Sequence, residues 1–379
     1  MSSSEDLYHF SNRQLGFSLT ELLVALALAG IILGGVIGAV SSSRHSYQTQ
    51  EAGVALSEEA RFAIDMLEYD MRHAGYIGCA SLDNAGFANV VKIDSSKTNQ
   101  VRMSELQGIN QASIRGFESF TVKSGVALPS FLPANAEIDT DVVLMRYADP
   151  DTHQAIASHL YNSPYKFTFH KDPFFISGQP LYIVDASCRE AALFRSGTVD
   201  ISSKESFYGG ISCSKVLKTS SGEQVSCATA GCSGPICGSS SPGQYAPGSK
   251  VYDAVAMAYF VAPSALDDST LALKRVKTKI AGVIYEEVIQ NVLSFQVILG
   301  VDAKAPYDGV ADKYVSPELI TAKEQDQVVS AKYELVIRSE DPFHASDQPI
   351  KYSDRPTITA GADRYHRKLV SQNIYMRNL

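Results

Sequence analysis

Between Phe17 and Val40 the chain reads FSLTELLVALALAGIILGGVIGAV, and Glu21 is its only strongly polar side chain. As a helix rising ~1.5 Å per residue, this stretch spans roughly 36 Å, enough to cross a hydrocarbon layer of about 30 Å. A carboxylate just inside such a segment is disfavoured by a few kcal/mol unless it finds a partner, which makes Glu21 a functional candidate. Whatever else the chain forms, it must accommodate one long apolar helix close to its amino end.

The neighbours of Glu21 narrow the reading. A polar leader, residues 1–16, ends in Gly16, an aromatic residue, Phe17, follows at once, and the carboxylate lies four positions beyond it. The string GFSLTELLVALALAG resembles a prepilin processing site followed by the assembly helix of type IV pilins. The resemblance implies cleavage after Gly16, N-methylation of the new amino-terminal Phe17, and a carboxylate role in assembly for Glu21. It also implies a prepilin peptidase and an inner-membrane assembly platform as partners. The leader carries one basic residue, Arg13, beside Glu5 and Asp6, a weak positive-inside cue on the expected cytoplasmic side.

The chemistry of the segment agrees with that resemblance. A free amine on Phe17, once exposed, can sit against Glu21 of a neighbouring subunit, so that each buried charge compensates the other and sets the axial register of a stack. Gly30, Gly34 and Gly38, spaced as two overlapping Gly-xxx-Gly pairs, allow close approach of helices. With Gly35 they also lower intrinsic helicity by up to ~1 kcal/mol each.

Beyond Val40 the chain turns polar at Ser41–His45, yet helical periodicity continues. Leu56, Ala60, Ala63, Leu67, Met71 and Ala74 recur at steps of three and four, an apolar stripe suited to packing on a globular domain. The opposite face carries Glu58, Arg61, Asp65, Glu68 and Arg72, with Glu58/Arg61 and Glu68/Arg72 as candidate pairs worth tenths of a kcal/mol. Gly75 is placed to cap the helix, so a single helix is expected over residues 17–75, with 17–40 transmembrane. The block EEARFAIDMLEYDMRHAGYIGC resembles the same stretch of minor pilins of the PilW kind.

The residues after the helix, 76–379, suffice for a large core. Their runs favour strands: Val90–Ile93, Phe120–Val122, Asp141–Tyr147, Leu181–Val184, Val251–Val261, Val288–Leu299 and Tyr333–Ile337, separated by Gly, Pro, Asn, Asp and Ser clusters. No second long helix is evident. The expected fold is α+β and pilin-like: a long N-terminal helix packed on a β-rich, mainly antiparallel head. NVLSFQVILGVDAKAPYDG from Asn291 and the terminal NIYMRNL from Asn373 resemble the PilW-type closing strands.

Six cysteines in a chain that enters a membrane amino end first suggest an oxidising compartment and up to three disulfides. Cys213, Cys227, Cys232 and Cys237 fall in residues 212–250, a Ser-, Gly- and Pro-rich stretch that buries too little apolar surface to order itself without staples. A four-cysteine zinc site is the alternative, but the tight Cys-x2-Cys pair is missing. If those four pair among themselves, Cys79 and Cys188 remain for each other and would tie the helix end to the sheet.

A net charge of −8, of which the leader holds −1, disfavours broad nucleic-acid binding. No nucleophile elbow, His-Glu-x-x-His motif or phosphate loop occurs. His153, His159 and His170 read as surface or satisfied polar residues, and Asp302, Asp308 and Asp312 as a polar turn, since EF-hand spacing is absent. No cofactor and no catalytic role are expected. The resemblance implies a minor pilin acting with other minor pilins and the major pilin in a pilus initiation or tip complex, with a tip adhesin as a further partner. A minor pseudopilin of type II secretion shares the leader and helix and is the nearest rival. A membrane-tethered adhesin or periplasmic enzyme is the rival from another class.

Overall fold

The structure is a computed structural model. It describes residues 18–81, 86–89, 98–108, 115–160, 166–197, 199–207, 227–228, 231–232, 245–279, 282–342 and 364–376. The leader, Phe17, Cys213, Cys237 and the expected Val90–Ile93 strand lie outside these. The chain divides into two units, residues 1–54 and 55–379.

Helix α1, Leu19–His73, runs from the first unit into the second. In the first unit its apolar side chains from Leu19 to Val40 are exposed, and by length and composition the helix can cross a membrane.

The second unit begins on the amphipathic part of α1. All six residues of the stripe, Leu56, Ala60, Ala63, Leu67, Met71 and Ala74, are buried in one core with strands of both larger sheets. Full burial of a side chain such as Leu67 is worth about 2–3 kcal/mol. On the outer face the Glu68/Arg72 pair forms. Arg61 turns to Asp65 at 3.8 Å, four residues on, instead of to Glu58, three residues back; both lie about one helical turn away. After His73 the chain turns at Gly75, whose φ of 79° is left-handed and whose N–H donates to the Arg146 carbonyl at 2.9 Å.

A short hairpin follows, β1 (Tyr76–Ile77) and β2 (Ala80–Ser81). Gly78 closes it with φ 83°; a Cβ there would lie 2.6 Å from the Tyr252 hydroxyl. Then come β3 (Gly86–Asn89), helix α2 (Thr98–Leu106), β4 (Phe117–Thr121), β5 (Asp141–Leu160), β6 (Lys166–Phe169), β7 (Pro180–Val184), β8 (Glu190–Arg195), β9 (Val199–Asp200) and β10 (Glu205–Phe207). Two short strands, β11 (Cys227–Ala228) and β12 (Gly231–Cys232), lie inside the stretch that offers almost no strand signal. The chain continues through β13 (Lys250–Pro263), β14 (Leu271–Lys279), β15 (Gly282–Gln290), β16 (Val292–Val301), β17 (Lys313–Val315), helix α3 (Ala322–Gln325), β18 (Val328–Pro342) and β19 (Tyr365–Tyr375).

Among the described residues the largest sheet has the order β3-β8-β7-β13-β5-β6-β10-β9, with β14 and then β15 added along β13 and β4 along β5. Its pairings are antiparallel except β3 with β8. A four-stranded antiparallel sheet has the order β17-β16-β18-β19. The head is thus antiparallel and β-rich behind a long helix, an α+β layout.

Strand periodicity of two explains how β5 and β13 serve two cores. Val143, Met145 and Tyr147, with Met257, Tyr259 and Val261, face the α1 stripe. Their alternates Val142, Leu144, Ala256, Ala258 and Phe260 pack with Leu106 and Phe131 on the other face.

The run Val288–Leu299, read as one strand, is two. Asn291 adopts φ 56°, ending β15 in the large sheet and starting β16 in the smaller one. A polar residue that tolerates the left-handed region is enough to redirect the chain between sheets.

Candidate assembly site and the anchor of its helix

In the first turn of α1 the Ser18 N–H donates to Glu21 Oε2 at 3.2 Å, and the Ser18 and Thr20 hydroxyls lie 2.7 Å apart. A carboxylate at a helix N-terminus is favoured by the exposed N–H groups and the helix dipole. Glu21 remains exposed, open to a charge from outside the chain. Farther along, Gly30, Gly34 and Gly38 have nothing within 4 Å of where a Cβ would stand, and α1 stays helical through them. Gly16 and Phe17 lie outside the described residues, so this geometry begins one residue after the expected amino terminus.

Within the second unit α1 has a buried polar anchor that the sequence patterning did not single out. Asp70 lies on α1 beside the buried stripe and is itself buried, 3% exposed. The Tyr147 hydroxyl donates to its Oδ1 at 2.8 Å and the Tyr259 hydroxyl to its Oδ2 at 2.5 Å. Arg275 Nη1 stands 3.5 Å from the same Oδ2, while Arg275 Nη2 pairs with Glu286 at 2.6 Å. Burial, then the charge of Asp70, pushes both tyrosines far above the ordinary phenol range, so they remain donors. Burial alone would lower the guanidinium of Arg275, but Tyr259, Glu286 and Asp70 outweigh it and keep it charged. The only hint in the sequence is an acidic residue one step before Met71 of the apolar stripe.

Covalent anchoring comes from the Cys79–Cys188 disulfide, which joins residues 109 apart and ties the β1–β2 hairpin to the turn between β7 and β8. Of the other cysteines, Cys227 and Cys232 occupy opposed positions of the β11–β12 hairpin.

Two further buried charges join the layers. Asp141 accepts from the Val297 N–H at 2.7 Å and from the Thr121 hydroxyl at 2.5 Å, bonding the large sheet to β16. Arg146, fully buried, donates to the Leu106 carbonyl at 2.7 Å, the Arg115 carbonyl at 2.9 Å and Glu118 at 2.7 Å.

The histidines differ from one another. His153 and His170 are exposed. His159 is buried, accepts the Tyr245 N–H on Nδ1 at 3.1 Å and packs 4.6 Å from the Phe167 ring; burial lowers its pKa to about 4. Asp302, Asp308 and Asp312 bind amides of their own loop: Gly309 donates to Asp302, Val310 to Asp308, and Ala303 and Lys304 to Asp312, at 2.8–3.0 Å. Among the described residues no group of three or more His, Cys, Asp or Glu side chains is arranged to hold a metal. A cleft of about 600 Å³ is lined by Glu105, Arg115, Glu118, Phe120 and Phe131 among others. Its Arg115 is committed to Asp326 at 2.6 Å and its Glu118 to Arg146.

A family model described as prokaryotic N-terminal methylation motif matches residues 11–37, and one described as type IV pilus-assembly protein W matches residues 258–378. No curated protein and no solved structure matches the chain. The methylation motif on an exposed apolar helix defines a prepilin-type, membrane-anchored pilus component. Within that class the chain is similar to type IV pilus-assembly protein W over residues 258–378, and the two matches together support a minor pilin-like protein related to the type IV pilus. Both families are structural pilus components and not enzymes. The PilW match runs from the later part of β13 through β19 and includes the whole four-stranded sheet.

Proposed function

We propose that the chain is a minor pilin, a non-enzymatic structural subunit that enters the initiating or tip complex of a type IV pilus. In this reading the leader is cut after Gly16 by a prepilin peptidase and Phe17 is methylated. The mature chain then waits in the inner membrane with residues 76–379 in the periplasm. The observation that carries the proposal is the lone exposed carboxylate of Glu21 at the start of an exposed apolar helix, within the matched methylation motif.

Glu21 receives the amino terminus of a neighbouring subunit when the helix leaves the bilayer. The exposed glycines at 30, 34 and 38 admit that neighbour's helix closely. A head this large on one helix is crowded in a repeating thin fibre but free at a terminus. Its partners are then other minor pilins, the major pilin and the inner-membrane assembly platform, with a tip adhesin beyond them.

The test is Glu21→Ala in the full-length protein. The variant is expected to remain in the membrane fraction, to disappear from sheared pili and to reduce pilus-dependent motility while type II secretion continues. Incorporation at the level of the unaltered protein would overturn the assembly role. Lost secretion with intact motility would move the chain to a secretion system.

A further inference from the structure

We infer that the outer face of α1 between Glu58 and Tyr69 docks a helix of a different pilin subunit, one that carries a Lys or Arg side chain between apolar ones. The inference deepens the proposed function, because it takes the pilus reading as the source of that partner. Phe62 and Tyr69 lie on the side of α1 away from its buried stripe and are 54% and 48% exposed. They stand seven residues apart, so both rings project from one line along the helix, about 10 Å from each other. Single exposed aromatic residues are ordinary, but a seven-residue repeat is the interval at which two helices packed at a shallow angle keep meeting.

The surroundings of the two rings are acidic. Glu58 precedes Phe62 by one turn and Asp65 lies between the rings, and both carboxylates are exposed. Burial, then Asp151, Asp149 and Asp70, push the Tyr69 hydroxyl above the ordinary phenol range, so the carboxylates of β5 belong to the same surface. The cations on this face are Arg61, 3.8 Å from Asp65, and Arg72, which pairs with Glu68. Glu58, Asp149 and Asp151 have no ion-pair partner among the described residues. A partner's cation therefore finds carboxylates one turn from an aromatic face, where it can pair and stack at once. An anionic lipid headgroup is repelled here, and a second copy presenting the same face sets carboxylate against carboxylate.

The face is also preorganised. The His73 ring packs 4.5 Å from the Tyr69 ring and 5.6 Å from the Tyr147 ring. His73 Nδ1 lies 2.7 Å from the Tyr69 carbonyl. With the opposite stripe of α1 buried in the core, the backbone that carries both rings is fixed before a partner arrives. Little ordering entropy is then lost on docking, which is the cost that otherwise weakens a small contact.

The test replaces Phe62, and separately Tyr69, with the photo-crosslinker p-benzoylphenylalanine in the full-length protein of piliated cells, and maps the adducts by mass spectrometry. The expected adduct is with a pilin subunit of different sequence, on a helix and within one turn of a Lys or Arg. Its yield should fall about tenfold when Glu58→Lys and Asp65→Lys are added, with the far-UV circular dichroism melt unchanged because both sites are exposed. Glu58→Gln with Asp65→Asn, which keeps size and removes charge, should lower the yield in the same direction. An adduct with a second copy or with lipid, or a yield indifferent to both pairs of charge changes, would overturn the inference. No adduct from a chain present in sheared pili would overturn it too, and leave the pilus reading standing. The expected adduct from a chain absent from pili would uphold the docking face and remove the pilus reading.

Discussion

The Tyr259 hydroxyl donates to Asp70 Oδ2 at 2.5 Å across 189 residues of sequence, joining β13 to α1 inside the core. Tyr147 binds the other oxygen of the same carboxylate from the neighbouring strand β5. The helix is therefore fixed in rotation and height by a group that cannot be solvated elsewhere. Asp70→Ala is expected to destabilise the head by about 3 kcal/mol, because two buried hydroxyl donors and part of Arg275 lose their acceptor. Tyr147→Phe should cost about 1–2 kcal/mol, and the two changes should combine with less than additive effect because they share one network. The chain has no tryptophan, so urea melts of the detergent-solubilised protein are best followed by far-UV circular dichroism. A loss below about 1 kcal/mol for Asp70→Ala would remove its role as anchor.

Joining residues 109 apart, the Cys79–Cys188 bridge restricts the unfolded chain over a long loop. A Cys79→Ser/Cys188→Ser double variant should lose about 2–5 kcal/mol. It should also become sensitive to protease near the β1–β2 hairpin. Unchanged melting and proteolysis would show that packing around Tyr182 and Tyr252 suffices there.

His159 gives the head a pH dependence of known sign. Its folded pKa, about 4, lies below the ordinary value of 6.5, so between these values the unfolded chain binds a proton that the folded chain refuses. The associated stability is present above about pH 6.5 and is lost as the pH falls towards 4, at most about 3.5 kcal/mol at ~1.4 kcal/mol per unit. Melting temperatures measured from pH 7 to pH 4 should fall more steeply for the unaltered protein than for His159→Phe. Parallel curves would contradict a neutral buried imidazole.

Processing after Gly16 can be read by mass alone. Intact-mass spectrometry of the membrane-extracted protein should show a chain that begins at Phe17 and carries one methyl group. Gly16→Val should keep all sixteen leader residues. A mature-length product from that variant would place the cut elsewhere.

Much of the architecture could be read along the chain because it follows from local periodicity. The stripe from Leu56 to Ala74 repeats every three to four residues, and that is the spacing at which α1 buries them. The runs around Val143, Tyr182, Tyr259 and Leu335 are β-branched, aromatic and apolar, and all are strands. Asn291 hid the division of β15 from β16, because hydrophobicity continues across a single residue whose backbone alone changes hand. The Glu58/Arg61 expectation failed for a related reason: several acids lie within reach of Arg61, and side-chain direction, not spacing, chooses Asp65.

Local chemistry written consecutively in the chain determined the apolar helix, its lone early carboxylate, the processing motif and the buried face of the helix. Tertiary structure alone decided which charges are buried and what neutralises them. Asp70 meets Tyr147, Tyr259 and Arg275, Asp141 meets Val297, and Arg146 meets Leu106 and Glu118 only after strands distant in sequence are brought together. Taken singly, an aspartate on a helix or an arginine in a strand is unremarkable. Its partners are chosen by sheet register, a property of the pairing of strands and not of any one of them.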